Sequence, residues 1–411
     1  MTNPLITNDA VVIGLLISCL GLIFYTASLK KLSLFYKIIP ALLLCYLIPS
    51  LLSTFGVISS EESQLWPVAK NYFLPASLIL MTLSTDLSGI IRLGPKALIM
   101  FFTATIGIIL GGPIAILTMS LISPETIGGA DFDAVWRGLA TLAGSWIGGG
   151  ANQTAMLELY QFNPSKYGGM ITVDIVVANI WMAFILFGAG KADKIDKWLK
   201  ADSSSIEKLK NTMENYGNQV VRYTSFNDLI KIAAIAFGGV GLAHFLSEFT
   251  SNYFAINLSM SESVLANRFF WIVVIATTLG LVLSFTKLRS LEGAGASKIG
   301  SVFIYLLVAI IGMKMDITKA FEEPLLIVVG LIWMAFHVGL LVLVAKIIKA
   351  PFFFLAVGSK ANVGGAASAP IVASAFHPSL ASVGVLLAVL GYALGTYGAI
   401  ICATLMEIVS K

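Results

Sequence analysis

Two stretches of the chain hold residues whose types and spacing could do chemistry. One is Thr141–Ala155, TLAGSWIGGGANQTA, and the other is Ala356–Pro370, AVGSKANVGGAASAP. Each has a Gly-Ser pair (Gly144-Ser145 and Gly358-Ser359), then a glycine cluster, then small and amide residues. Glycine is worth about 1 kcal/mol less than alanine at a helical position, so neither stretch makes a good continuous helix. Inside a membrane, broken backbone survives only where protein or a water-filled cavity satisfies it. Helix N-termini exposed at such a break favour anions, and free carbonyls coordinate cations such as sodium. Ser145, Gly149, Gly150, Asn152, Gln153 and Thr154 at the first break, with Ser359, Asn362, Gly364, Gly365 and Ser368 at the second, therefore read as a site for a zwitterionic or carboxylate solute with a coupled ion. The plainer reading is that small polar residues let helices pack and bond across an interface.

Asp174 follows the first glycine stretch, inside the apolar run 167–190. A carboxylate at that depth costs a few kcal/mol unless paired or solvated. It reads as an ion-coupling residue or as a structural partner of the glycine backbone, with Asn179, five residues on, as a weaker coupling candidate. The corresponding run in the second half has Tyr392 and Thr396 but no carboxylate. Lys360 meets a substrate carboxylate or snorkels to the surface. Asp86 and Asp316 occupy matching places, where capping or anchoring is expected. His244, His337 and His377 lack metal-ligand spacing and read as packing residues, His337 being the deepest. Cys19, Cys45 and Cys402 lie in apolar runs and read as small hydrophobes.

The elements that must position these residues follow from composition. The chain is 57% apolar and 12% charged, with a mean hydropathy of +0.90, where soluble domains carry about 25% charge. The expected fold is an all-α polytopic membrane protein. MTNPLITND has no basic signal-peptide region, so the first apolar run is expected to be a retained span. The net charge of +4 comes from loops and needs no nucleic-acid partner. No nucleotide-binding motif is present, so no cofactor is expected and energy would come from an ion gradient of Na+ or H+.

Runs able to cross a hydrocarbon core of about 30 Å fall at roughly 10–29, 36–57, 71–91, 96–122 and 167–190, then at 229–248, 269–286, 299–316, 324–348 and 380–406. The glycine stretches sit in two further segments, 135–160 and 352–377. The halves align: Thr85-Asp86-Leu87 then Pro95 matches Met315-Asp316-Ile317 then Pro324, and Asn8-Asp9 matches Asn227-Asp228. The expected organisation is thus a first repeat over 1–190, a Lys-rich cytoplasmic linker over 191–227, and a second, inverted repeat over 228–411. Each repeat has about five transmembrane helices and a re-entrant or broken glycine hairpin. In the linker, Lys194, Trp198 and Leu199 fit an amphipathic segment at the membrane surface, or a plain connector.

Lys and Arg near short loops stay cytoplasmic. With hairpins that turn back and an outside N-terminus, Lys30, Lys31, Lys37, Arg92, Lys96, the linker lysines, Lys287, Arg289, Lys346 and Lys349 are all cytoplasmic. Lys70, Arg137, Lys166, Arg268 and Lys314 remain outside among acidic loops. A first glycine segment that crossed fully would push the linker outside, against its charge. From Arg137 to Gly148 is about 17 Å of helix, roughly half the bilayer, so the two tips would meet near the midplane.

On GSWIGGGANQ and GSKANVGGAASAP, the whole chain resembles the YjcL-like family of uncharacterised bacterial membrane proteins. In architecture it is similar to the glutamate:sodium symporters and the 2-hydroxycarboxylate transporters, whose inverted five-span halves each carry a hairpin with a GGxG-type vertex. That likeness implies an elevator mechanism and a homodimer, and it carries over only to Gly148, Gly149, Gly150, Gly364 and Gly365. The second vertex reads Gly364-Gly365-Ala366-Ala367, which departs from GGxG, so no substrate carries over. The expected function is a secondary transporter, not an enzyme, in the inner (cytoplasmic) membrane: sodium-coupled, moving an amino acid, short peptide or carboxylate. Its rival is a cation/proton antiporter without an organic substrate.

Overall fold

Backbone that cannot bond to water must bond to itself, and the apolar runs do so as helices. The computed structural model describes all residues except 1–3, 40, 60–62, 203–205, 207–208, 210–222, 258–263, 315–322 and 378–379. Asp316, with its match to Asp86, and most of the second half of the linker lie outside the described residues. In chain order the main helices are α1 (Asp9–Ser28), α2 (Ala41–Thr54), α3 (Leu74–Leu83), α4 (Pro95–Ile122), α5 (Val135–Gly148), α6 (Gly150–Tyr160) and α7 (Tyr167–Ala189). They continue as α8 (Phe226–Asn252), α9 (Arg268–Ser284), α10 (Ala296–Lys314), α11 (Leu325–Ile347), α12 (Phe352–Asn362), α13 (Gly365–Phe376) and α14 (Ala381–Ser410).

Seven of these, α1, α4, α7, α8, α10, α11 and α14, are long and apolar enough to cross a membrane. The sequence divides into ten such runs, and the other three take different forms. α2 has only 14 residues and stops where Phe55 bonds back to Leu51 and Gly56 takes a φ of 69°. α3 continues a helix that starts at Leu65 and passes through a π-helical turn at Ala69–Phe73, so this rod lies earlier than the run 71–91. α9 bends by 97° into a 3-10 helix at Lys287–Ala294, where the polar sequence from Thr286 onward ends the apolar run and Thr286 caps Leu288. The sequence placed no bend there.

Helix starts follow local chemistry. Asn8 accepts from the amides of Ala10 and Val11 ahead of α1, and Ser225 with Asp228 forms a reciprocal capping box ahead of α8. Asp86, expected to cap, does so, accepting from the Gly89 amide while also pairing with Arg289. The linker helix Ala192–Leu199 buries Leu199 and leaves Trp198 exposed, with the Lys346 ammonium 4.8 Å above its ring.

The helices pack as two groups. In the first, α3 packs on α8, α9 and α10, and α10 packs on α1 and α2. In the second, α4 packs on α11, α12 and α14, while α5 and α6 pack together and against α14, as do α12 and α13. α7 joins this second group through α11. The groups meet along α14, which touches α3 and α9, and along α6, which touches the same two.

Candidate functional site

Each glycine stretch doubles back on itself. Gly149, at φ 87°, ends α5 and begins α6, a conformation that a side chain would strain. The Arg137 guanidinium near the start of α5 donates to the Tyr160 carbonyl at the end of α6 over 2.6 Å, so the two arms run antiparallel. In the second stretch Gly364 takes φ 107° between α12 and α13. Phe352 and Phe353 at the start of α12 pack on Phe376 at the end of α13.

The two tips converge on α14. A β-carbon on Gly149 would stand 3.3 Å from Cε1 of Tyr392, and one on Gly365 would stand 3.6 Å from the same ring's hydroxyl. On the preceding residue of α14, a β-carbon on Gly391 would stand 3.0 Å from both the Ile147 and the Ala361 carbonyl oxygens. Gly395 approaches Gly148 so closely that its β-carbon would stand 2.5 Å from the Gly148 Cα. Glycines four apart on α14 give this face its close backbone approach.

Asp174 sits on α7 against the first hairpin. Its Oδ2 accepts from Ser145 Oγ at 2.6 Å and Gln153 Nε2 at 3.2 Å, and its Oδ1 accepts from the Trp146 indole at 2.7 Å. Three donors from both arms thus solvate one carboxylate, which is what a charge needs at this depth. Tyr46 and Tyr167, with ring centroids 6.3 Å apart, lie within electrostatic reach of it, as does Lys360.

The second hairpin uses its polar residues differently. Ser359 Oγ receives the Trp181 indole at 2.7 Å and lies 2.8 Å from His337 Nε2. His337 Nδ1 lies 3.1 Å from the Ala104 carbonyl, so Nδ1 carries the proton and Nε2 accepts from Ser359. Asn362 accepts from Thr105 at 2.8 Å and donates to the Gly358 and Phe101 carbonyls. Ser359 and Asn362, expected to line a solute site, are committed to α4, α7 and α11 and are fully buried. On the first hairpin, Asn152 Oδ1 accepts from Thr396 at 2.7 Å, and Thr396 in turn meets Thr277. Asn152 Nδ2 is buried without a partner among the described residues. Thr154 bonds to its own helix at Gly150.

Two expectations change. Asn179 is exposed and donates only to the Ile175 carbonyl of its own helix, because five residues from Asp174 is about 140° around a helix; it takes no part in the Asp174 cluster. Lys360 does not snorkel. It is 2% exposed, and among the described residues its ammonium reaches only the Ala178 carbonyl, at 3.4 Å. The sequence reading missed Trp146, Trp181 and Thr105, whose partners lie far away in sequence. His337 was singled out only for its depth.

The family model described as "Protein of unknown function (DUF819)" matches residues 14–409. Over 347 residues the chain is 22% identical to the uncharacterized membrane protein YjcL of Bacillus subtilis (strain 168), covering 82% of each chain. Together with the seven long apolar helices, this makes the chain a multi-pass membrane protein.

Proposed function

We propose that this chain, which belongs to the DUF819 family of proteins of unknown function, is a secondary active transporter of elevator type. It is coupled to sodium and moves a small polar or anionic organic solute, an amino acid, short peptide or carboxylate, across the cytoplasmic membrane. It is not an enzyme in this reading. The observation that carries the proposal is the meeting of two glycine tips on one face of α14, with Asp174 fastened to one hairpin and Lys360 buried in the other. Broken helices whose ends face each other at mid-depth are how secondary transporters present carbonyls and amides to ions and solutes.

In this reading the two packed groups are the moving parts. The hairpins with α4, α7, α11 and α14 form the carrier, and α1, α2, α3, α8, α9 and α10 form the scaffold, which also supplies a dimer contact. Five crossings per half, an outside N-terminus and hairpins entering from opposite sides complete the proposed topology. Asp174 and the Ile147 and Ala361 carbonyls are the proposed coupling-ion ligands. Electrostatic coupling of Asp174 to Lys360 favours one second reading, a cation/proton antiporter without an organic solute.

The test is thermal stability of the purified protein with amino acids, short peptides and carboxylates, each in sodium or potassium, followed by uptake into proteoliposomes. Ligands that bind only the folded state raise its apparent stability. A solute that stabilises only in sodium and accumulates down a sodium gradient is the expected result. Sodium-for-proton exchange with no solute effect would select the antiporter, and neither uptake nor exchange would overturn transport.

A further inference from the structure

We propose that the tip of the second hairpin is a carboxylate-binding subsite built from Lys360, Ser368 and the first amides of α13. Lys360 is 2% exposed, and its ammonium, which has three protons to donate, makes a single long bond to the Ala178 carbonyl. It forms no direct ion pair among the described residues. Ser368 Oγ is buried and has no partner among the described residues. Both atoms face one point. A β-carbon on Gly364 would stand 2.4 Å from Ser368 Oγ and 3.3 Å from Lys360 Nζ, and Gly364 itself is exposed. α13 begins there with no side-chain cap.

The donors at this point are therefore two unused ammonium protons, one hydroxyl and uncapped backbone amides. A carboxylate has two oxygens with about four acceptor positions, which matches that set. A buried ammonium held by one weak contact is costly, and an arriving carboxylate that also takes the hydroxyl and amide donors offsets that cost. Gly364 is exposed, and the absence of a side chain there leaves both donors uncrowded from that position. Asp174, on α7 and bonded to the first hairpin, supplies the opposite charge, so an acid that carries an ammonium group finds a complement beside each hairpin. The transport reading decides only what happens to the bound acid afterwards, not whether it binds.

The experiment is a thermal-shift titration of the purified protein in sodium buffer with acetate, succinate, glycine and L-glutamate, and with chloride and sulfate as inorganic anions. At least one organic acid is expected to stabilise the wild-type protein in a saturable way. Lys360→Met is expected to weaken that acid at least tenfold, Ser368→Ala severalfold, and Lys360→Arg is expected to restore most of the affinity. Should Lys360→Met not fold, Ser368→Ala carries the comparison, since it removes one donor and leaves the charge. The subsite is overturned if no acid binds the wild type, if chloride or sulfate binds as well as the acid, or if the variants bind unchanged. Solute uptake with unchanged affinity in the variants would sink the subsite and leave transport standing. Saturable, Lys360-dependent binding without uptake would do the reverse.

Discussion

A carboxylate inside an apolar helix needs donors, and Asp174 has three of them within 3.2 Å. Asp174→Asn keeps the shape but sets an NH2 against one or two of those donors. The expected outcome is a folded protein whose sodium-dependent stabilisation is lost. Unchanged sodium response in the variant would remove Asp174 from coupling. Ser359→Ala has a different signature. It strands the Trp181 indole and the His337 ring in the core, each lost bond costing about 1–3 kcal/mol. It should lower the melting temperature without changing which solutes bind; altered solute selectivity at unchanged stability would return Ser359 to the solute site. Asp174 was legible in the sequence because the cost of a charge at depth is visible in one residue and its surroundings. Its partners Ser145 and Gln153 were legible as members of the same glycine stretch. The roles of Ser359 and Asn362 were not, because a small polar residue beside a glycine break serves packing and binding equally well. What decides between them is Trp181, His337 and Thr105, which no spacing rule connects to 359 or 362.

At the scale of elements, the hairpins were readable because Gly149 and Gly364 sit in backbone conformations that glycine alone adopts at low cost. The shortness of α2 and the 97° bend after α9 were not readable, since hydropathy registers an apolar run and not the turn that cuts it. The glycine face of α14 gives a direct test of hairpin seating. Gly395→Val would drive a branched side chain into the Gly148 backbone and the Asn152 amide, an overpacking expected to cost about 1–3 kcal/mol or more. A marked fall in melting temperature is the expected readout, and full stability would mean that the hairpin and α14 are not in this contact. Between the two helix groups, Lys70 pairs with Glu158 at 2.5 Å, joining the rod of α3 to the end of α6. Both side chains are partly exposed, so the pair contributes about 1 kcal/mol or less to stability. If it holds the groups in register, Lys70→Ala should leave the melting temperature almost unchanged and alter the rate of the proposed transport, and the charge swap of Lys70→Glu with Glu158→Lys should restore it. A rate unaffected by either change would make the pair a surface contact only.

At the scale of the whole molecule, topology depends on which helix ends share a side of the membrane. Trp66, Lys70, Asp131, Asp133, Glu158 and Lys314 line a single cavity of about 630 Å³, although they come from four separate stretches of the chain. Asp9 joins the Ser63 hydroxyl and the Gln64 amide near the start of the same rod. In another place Lys96 meets Asp202 and the Lys349 carbonyl, and Asp196 accepts the Phe352 amide. The basic-residue rule puts the first set outside and Lys96, Lys349 and the linker inside. Because α5 and α6 run antiparallel, α4 ends and α7 begins on one side, and α7 then carries the chain across to the linker. Full crossing by either arm would reverse the linker. Single cysteines at Gln161 and at Lys200, in a background with Cys19, Cys45 and Cys402 replaced by serine or alanine, separate the two arrangements. A membrane-impermeant thiol reagent applied to intact cells should label the cysteine at 161 and reach the one at 200 only after the membrane is opened. Labelling of both from outside would place the linker outside, break the proposed inversion of the two halves, and leave the two glycine tips with no reason to enter from opposite sides as proposed.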